Sequence, residues 1–177
     1  MTGEKIDQLE IQLGSTASSS GPAPVSNSNN PSQQQIDGVI TLYTQGKLQE
    51  ALVQGTALES QFPNNPIILN ILGVALNELG RHEEAIDSYN KVIEHQPDAA
   101  VTHYNLGNAL NELGKHEEAI DSYNKAIELK PDYVDAHSNL GLILRIIKVN
   151  AFSESLAKNY LDVLNFGSIA RPFWLVG

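Results

Sequence analysis

Cysteine is absent from this 177-residue chain. That excludes disulfides, thiolate metal sites and cysteine nucleophiles. Long apolar runs are absent too. A membrane-spanning helix needs about 18 or more consecutive apolar residues. The longest stretch here, Leu142 to Val149, is broken by Arg145 and Lys148. The N-terminal MTGEKIDQLEIQLG carries charges where a secretory leader carries an apolar core, so a cytoplasmic location is expected. Basic residues are scarce: 11 Lys and Arg face 21 Asp and Glu, for a net charge of −10. Phosphate backbones and anionic membrane surfaces attract the opposite balance, so neither nucleic acid nor membrane is an expected partner. Solubility alone also accounts for an acidic surface.

The usual marks of chemistry are missing as well. No glycine-rich phosphate loop is present, and the Gly-Lys pairs lack a following Ser or Thr. His82 and His116 each precede two glutamates, but they stand 34 residues apart in otherwise matching segments. The HEEA runs lack the second histidine of a zinc-protease helix. Their glutamates suit the first turn of a helix, where the backbone dipole favours carboxylates. No nucleophile, base and orienter converge, so the chain is read as not an enzyme, with no catalytic residue, no metal and no cofactor.

What is present is a repeat. Asn65–Asp98 aligned on Ala99–Asp132, an offset of 34 residues, agrees from Ala75 to Lys91 at every position but Arg81 against Lys115. The frame continues upstream through Gly46, Ala51 and Pro63, and downstream through Leu140 and Gly141. Within the third unit Leu106, Leu110 and Leu113 recur at helical spacing. Gly114 then ends that helix, since glycine accepts the left-handed conformation past a helix end. Ala119, Ile120, Tyr123, Ala126 and Ile127 mark one face of a second helix, which Pro131 stops. Gly107 and Ala119 are small enough for two helices to approach closely, and Tyr123 is expected to fill the space between pairs.

These residues resemble the tetratricopeptide-repeat (TPR) family. The second unit supplies Leu69, Leu72-Gly73, Leu76, Ala85, Tyr89, Val92 and Pro97; the third supplies His103, Leu106-Gly107, Leu110, Ala119, Tyr123, Ala126 and Pro131. Val92 and His103 depart from the pattern. So does the first unit, where Gly38 and Val39 hold the Leu-Gly positions and Gly55 the aromatic one. The resemblance implies an all-α solenoid of helix-turn-helix units, about 3 to 4 helix pairs. The expected organisation is a low-complexity segment over 1–31, repeats over 32–65, 66–99 and 100–133, and a partial fourth over 134–151. A capping helix over 152–166, started by Ser153 and ended by Gly167, and an apolar tail over 167–177 complete it.

The resemblance also implies where a partner would lie. The second, fifth, ninth and twelfth residues of each first helix, with the sixth nearby, face a concave groove in the family. In the second unit these are Ile67, Asn70, Val74 and Asn77, with Ile71. In the third they are Val101, Tyr104, Asn108 and Asn111, with Asn105; in the fourth, Asp135, Ser138, Leu142 and Arg145, with Asn139. Helical spacing independently places such positions on one stripe. The partner-binding candidates are therefore Asn70, Asn77, Tyr104, Asn105, Asn108, Asn111, Ser138 and Asn139. An asparagine amide both donates and accepts, so it can hold a peptide backbone whatever its side chains; it is equally at home in water. Asn105 and Asn139 resemble the asparagine ladder of O-linked N-acetylglucosamine transferases. Of the basic positions with which another TPR subclass clamps a terminal carboxylate, only Arg145 is present.

Two functions stay open on this reading. One is a scaffold that binds a protein or peptide in the groove. The other is the recognition part, truncated, of a larger TPR-containing glycosyl-, sulfo- or methyltransferase. Self-association through the Phe173-Trp174-Leu175 tail is a third expectation.

Overall fold

The computed structural model describes residues 30–169, with the side chains of residue 160 and of 162–169 left aside. The expected low-complexity segment, but for its last two residues, and the end of the apolar tail lie outside the described residues. Among those residues there are seven helices and no strand. They are α1 (Gln33–Thr44), α2 (Leu48–Gln61), α3 (Pro66–Glu78), α4 (His82–His95), α5 (Ala100–Glu112), α6 (His116–Leu129) and α7 (Val134–Ile169). None is long and apolar enough to cross a membrane.

Local chemistry sets the boundaries. Ser32 and Gln35 form a capping box at the start of α1: each side chain meets the other's backbone N–H. Asn65 caps α3 by accepting from the N–H groups of Ile67 and Ile68 at 3.1 and 3.3 Å, and Pro66 follows at the first position, where its missing N–H costs nothing. The turns inside the three pairs contain Gly46, Gly80 and Gly114, with φ of +74°, +76° and +73°. A side chain there would be strained, which explains the 34-residue spacing of these glycines.

The fourth such position holds Lys148, and there the chain does not turn. The expected separate capping helix is not formed; α7 runs unbroken through Ser153 and Gly167. Ser153 does not cap anything. Its hydroxyl donates to the carbonyl of Val149 at 2.9 Å, a bond made inside a helix. Without glycine at 148 and without proline before 172, nothing in this stretch opposes helix.

The chain divides between His137 and Ser138 into two compact units. In the first, each helix packs on the next, and the first helices of neighbouring pairs also touch, α1 with α3 and α3 with α5. Ala51, Ala85 and Ala119 are fully buried at equivalent places, as close helix approach requires. Tyr89 and Tyr123 are buried too. Each ring lies against the glycine of its own pair rather than between pairs. A β-carbon on Gly73 would stand 2.5 Å from Tyr89, and one on Gly107 would stand 2.7 Å from Tyr123.

The first pair reverses this fit. Val39 stands where Gly73 and Gly107 stand, and Gly55 where the tyrosines stand. The bulk has changed sides: a β-carbon on Gly55 would be 3.7 Å from Val39 and only 2.7 Å from Leu72 of α3. The first unit is thus a diverged repeat with a compensated core rather than a cap of another kind.

The second unit holds the remainder of α7. Leu142, Ile146, Val149, Phe152 and Leu156 are all exposed along it.

Candidate partner-binding groove

The stripe of candidate residues lies on α3 and α5, the first helices of the second and third pairs. Most of it is half-buried, so it is reachable without being loose: Ile67, Val74 and Asn77 on α3, and Val101, Tyr104, Asn105, Asn108 and Asn111 on α5. Asn70 is the exception and corrects the sequence reading. It is only 3% exposed, and its Oδ1 accepts from the hydroxyl of Thr102 at 3.1 Å. This buried bond ties α3 to α5, which leaves Asn70 no face for a ligand. Burial without such a bond would cost about 1–3 kcal/mol.

The other asparagines differ in what they hold. Asn77 and Asn111 each approach a histidine across the turn of their own pair. His82 Nδ1 is 2.7 Å from Asn77 Oδ1, and His116 Nδ1 is 3.1 Å from Asn111 Oδ1. With the ring nitrogen donating, the amide carbonyl is occupied and the amide NH2 is left to face outward. Asn108 accepts from the buried hydroxyl of Tyr123 at 2.7 Å. Asn105 has no such protein partner among the described residues. It is the asparagine of α5 most free to serve a ligand. Ser138, exposed, and Asn139, half-buried, belong to the second unit.

The histidines thus have structural employment. His103 Nε2 donates to the carbonyl of Pro97 at 2.8 Å, and His137 Nε2 to that of Pro131 at 2.9 Å. These two bonds repeat at the junctions before α5 and α7, and no regularity short of a 34-residue comparison would reveal them. Among the described residues no three of His, Asp and Glu gather as a metal would require.

Sequence reasoning missed one residue of the stripe's third-repeat end. Tyr133 occupies the position held by Asn65 and Ala99 in the earlier units, so the repeat comparison gave it no partner. It is buried, and its ring centre lies 4.9 Å from that of Tyr104, whose ring is in turn 5.9 Å from Tyr123. Val101, Ala126, Ile127 and Ala136 close around it. The Lys130 ammonium sits 5.0 Å above the Tyr133 ring. The Tyr133 hydroxyl is buried with no hydrogen-bond partner. Burial, first, and then the neighbouring Tyr104 and Asp135 push its pKa above the ordinary phenol range.

A second, open groove of about 640 Å³ lies between α2 and α4. Leu52, Leu72 and Leu76 contribute to its lining, with charges around them. Those charges pair with one another, Lys91 with Glu59 at 3.4 Å and Arg81 with Glu84 at 2.6 Å. It therefore presents little net charge to select a ligand.

Paired helices, a glycine turn at each 34th residue and a tyrosine seated on a glycine make one repeated unit. The TPR repeat model matches residues 73–114 and 107–144. The array is a tetratricopeptide-repeat array. Solved TPR structures share its architecture. The Sgt2 TPR domain from Aspergillus fumigatus is 22% identical with a TM-score of 0.64, over 72% of this chain and 85% of that one. The first TPR of Spaghetti (RPAP3), bound to an HSP90 peptide, is 23% identical with a TM-score of 0.63, over 65% of this chain and 91% of that one. A mutant O-GlcNAc transferase from Thermobaculum terrenum is 29% identical with a TM-score of 0.60, over 63% of this chain but 22% of that one. No curated protein matches the chain.

Proposed function

We propose that this TPR array is a protein-interaction module that holds an extended segment of a partner along the stripe of α3 and α5. The observation that carries this reading is the half-buried, largely uncharged stripe itself, in which Asn105 has amide groups to spare and Asn77 and Asn111 turn their NH2 groups outward. Backbone recognition needs such groups, spaced along rigid helices. The bound peptide in the Spaghetti structure supports the reading as a precedent for the fold, not for the ligand.

The test is capture of partners from a lysate by the parent chain, by Asn105→Arg and by Val53→Arg. Val53 is 70% exposed on α2, away from the stripe, and serves as the control. Partners lost with Asn105→Arg and kept with Val53→Arg are the expected result. The same partners kept by both variants would sink the groove assignment.

A further inference from the structure

We infer that the third-repeat end of the groove receives a cationic side chain, Lys or Arg, from the bound segment, against the Tyr104 ring and the Asp135 carboxylate. This rests on the groove reading above and sharpens it. The first-unit stripe contains no Lys or Arg; Asp135 is its single formal charge. The chain as a whole carries −10. An acidic segment entering here would therefore meet repulsion and find no counter-charge.

Three rings meet at this end. Tyr104 lies between Tyr133 at 4.9 Å and Tyr123 at 5.9 Å, and Tyr104 itself is half-buried, so part of its surface remains open. The electron-rich face of an aromatic ring attracts a cation within about 6 Å of its centre. The cluster already shows this property, since Lys130 places its ammonium 5.0 Å over Tyr133. Asp135, two residues after Tyr133 in the first turn of α7, adds a full negative charge beside the rings. Its field reaches the cluster, because it contributes to the raised pKa of the Tyr133 hydroxyl. A carboxylate beside an aromatic face offsets the like charge of Lys130 and leaves a position suited to a second cation. An apolar side chain would leave that carboxylate unpaired on binding, which costs affinity.

The test selects peptides from a random, end-blocked decapeptide library on the full chain. Selected peptides are then measured by fluorescence anisotropy against the parent, Tyr104→Leu and Asp135→Asn. Asp135→Asn leaves all three rings in place, so it serves even where Tyr104→Leu loosens the fold. Peptides with a Lys or Arg at one recurring position are expected. Replacing that residue by norleucine should weaken binding to the parent about three- to thirtyfold, the range of a partly desolvated cation–ring contact. It should change little for Asp135→Asn. Selected peptides without a recurring cation, or with an acidic one, overturn the inference and leave the groove reading standing if Asn105→Arg still abolishes their binding. Peptides indifferent to Asn105→Arg, or no selected peptide at all, overturn both.

Discussion

Gly73 and Tyr89 occupy a single space: a β-carbon on the glycine would lie 2.5 Å from the tyrosine ring. Gly107 and Tyr123 repeat the fit 34 residues later. Both tyrosines are 1% exposed, so neither ring has room to swing away. The contact fixes how closely the two helices of a pair approach, and through that the spacing of the stripe residues on α3 and α5.

Gly73→Ala is accordingly expected to destabilise the chain. Overpacking a filled core costs about 1–3 kcal/mol, against which alanine regains about 1 kcal/mol of helix propensity. A net loss near 1 kcal/mol should appear as a lower urea midpoint. Gly141→Ala is the counterpart, since nothing lies within 4 Å of a β-carbon there. That change should hold or raise the midpoint. A loss at Gly141 equal to that at Gly73 would refute the packing account.

The two tyrosines should respond differently to losing their hydroxyls. Tyr123 donates to Asn108, whereas the residue equivalent to Asn108 in the second repeat is Val74. Tyr123→Phe should lower unfolding free energy by about 0.5–1.5 kcal/mol, the net worth of one hydrogen bond. Tyr89→Phe should cost less. Chemical denaturation of the two variants side by side decides it, and equal losses would remove any role for Asn108 in the core.

Alkaline pH should destabilise the first unit. Tyr43, Tyr89 and Tyr133 all have hydroxyl pKa values raised above the ordinary phenol value, chiefly by burial; at Tyr43 a hydrogen bond to Glu78 at 2.8 Å adds to it. The unfolded chain releases these protons near pH 10 and the folded chain only at higher pH. Between those values the folded state binds more protons, so stability falls as pH rises. It is fully present below about pH 10. Urea midpoints at pH 9 and pH 11 should show the drop, and Tyr43→Phe should make it shallower. An unchanged slope in that variant would mean that Tyr43 is not one of the linked groups.

Much of the fold was legible before any coordinates because repetition is local. Glycine at positive φ, proline after a helix and apolar residues at spacings of three and four act over one or two turns of chain. A comparison at a fixed offset then exposes them all together. The reading failed where that logic has no repeat to lean on. At Lys148 it registered the missing glycine but still expected a new helix at Ser153. The serine's bond to Val149 shows that a hydroxyl inside a helix satisfies itself on the preceding turn.

The candidate site was less legible than the fold. Spacing placed Asn70, Asn105 and Asn108 on one stripe, and position along a helix says no more than that. Which amide is free depends on what stands opposite. Thr102 takes Asn70 out of reach, and Tyr123 engages Asn108. Asn105 alone among these three is left with no such partner on the described chain. Tyr133 escaped notice because its counterparts, Asn65 and Ala99, share none of its chemistry.

The sequence by itself therefore determined the unit, its 34-residue period, its turns and the neutral character of the stripe. Each depends on residue type and on short-range backbone sterics. Only the tertiary structure decided that Val39 and Gly55 exchange bulk, that Asn70 is buried, and that Tyr104, Tyr123 and Tyr133 gather at one end. Those outcomes depend on close packing between helices far apart in the chain. There a few tenths of an ångström separate contact from overlap, and no periodicity encodes the distance.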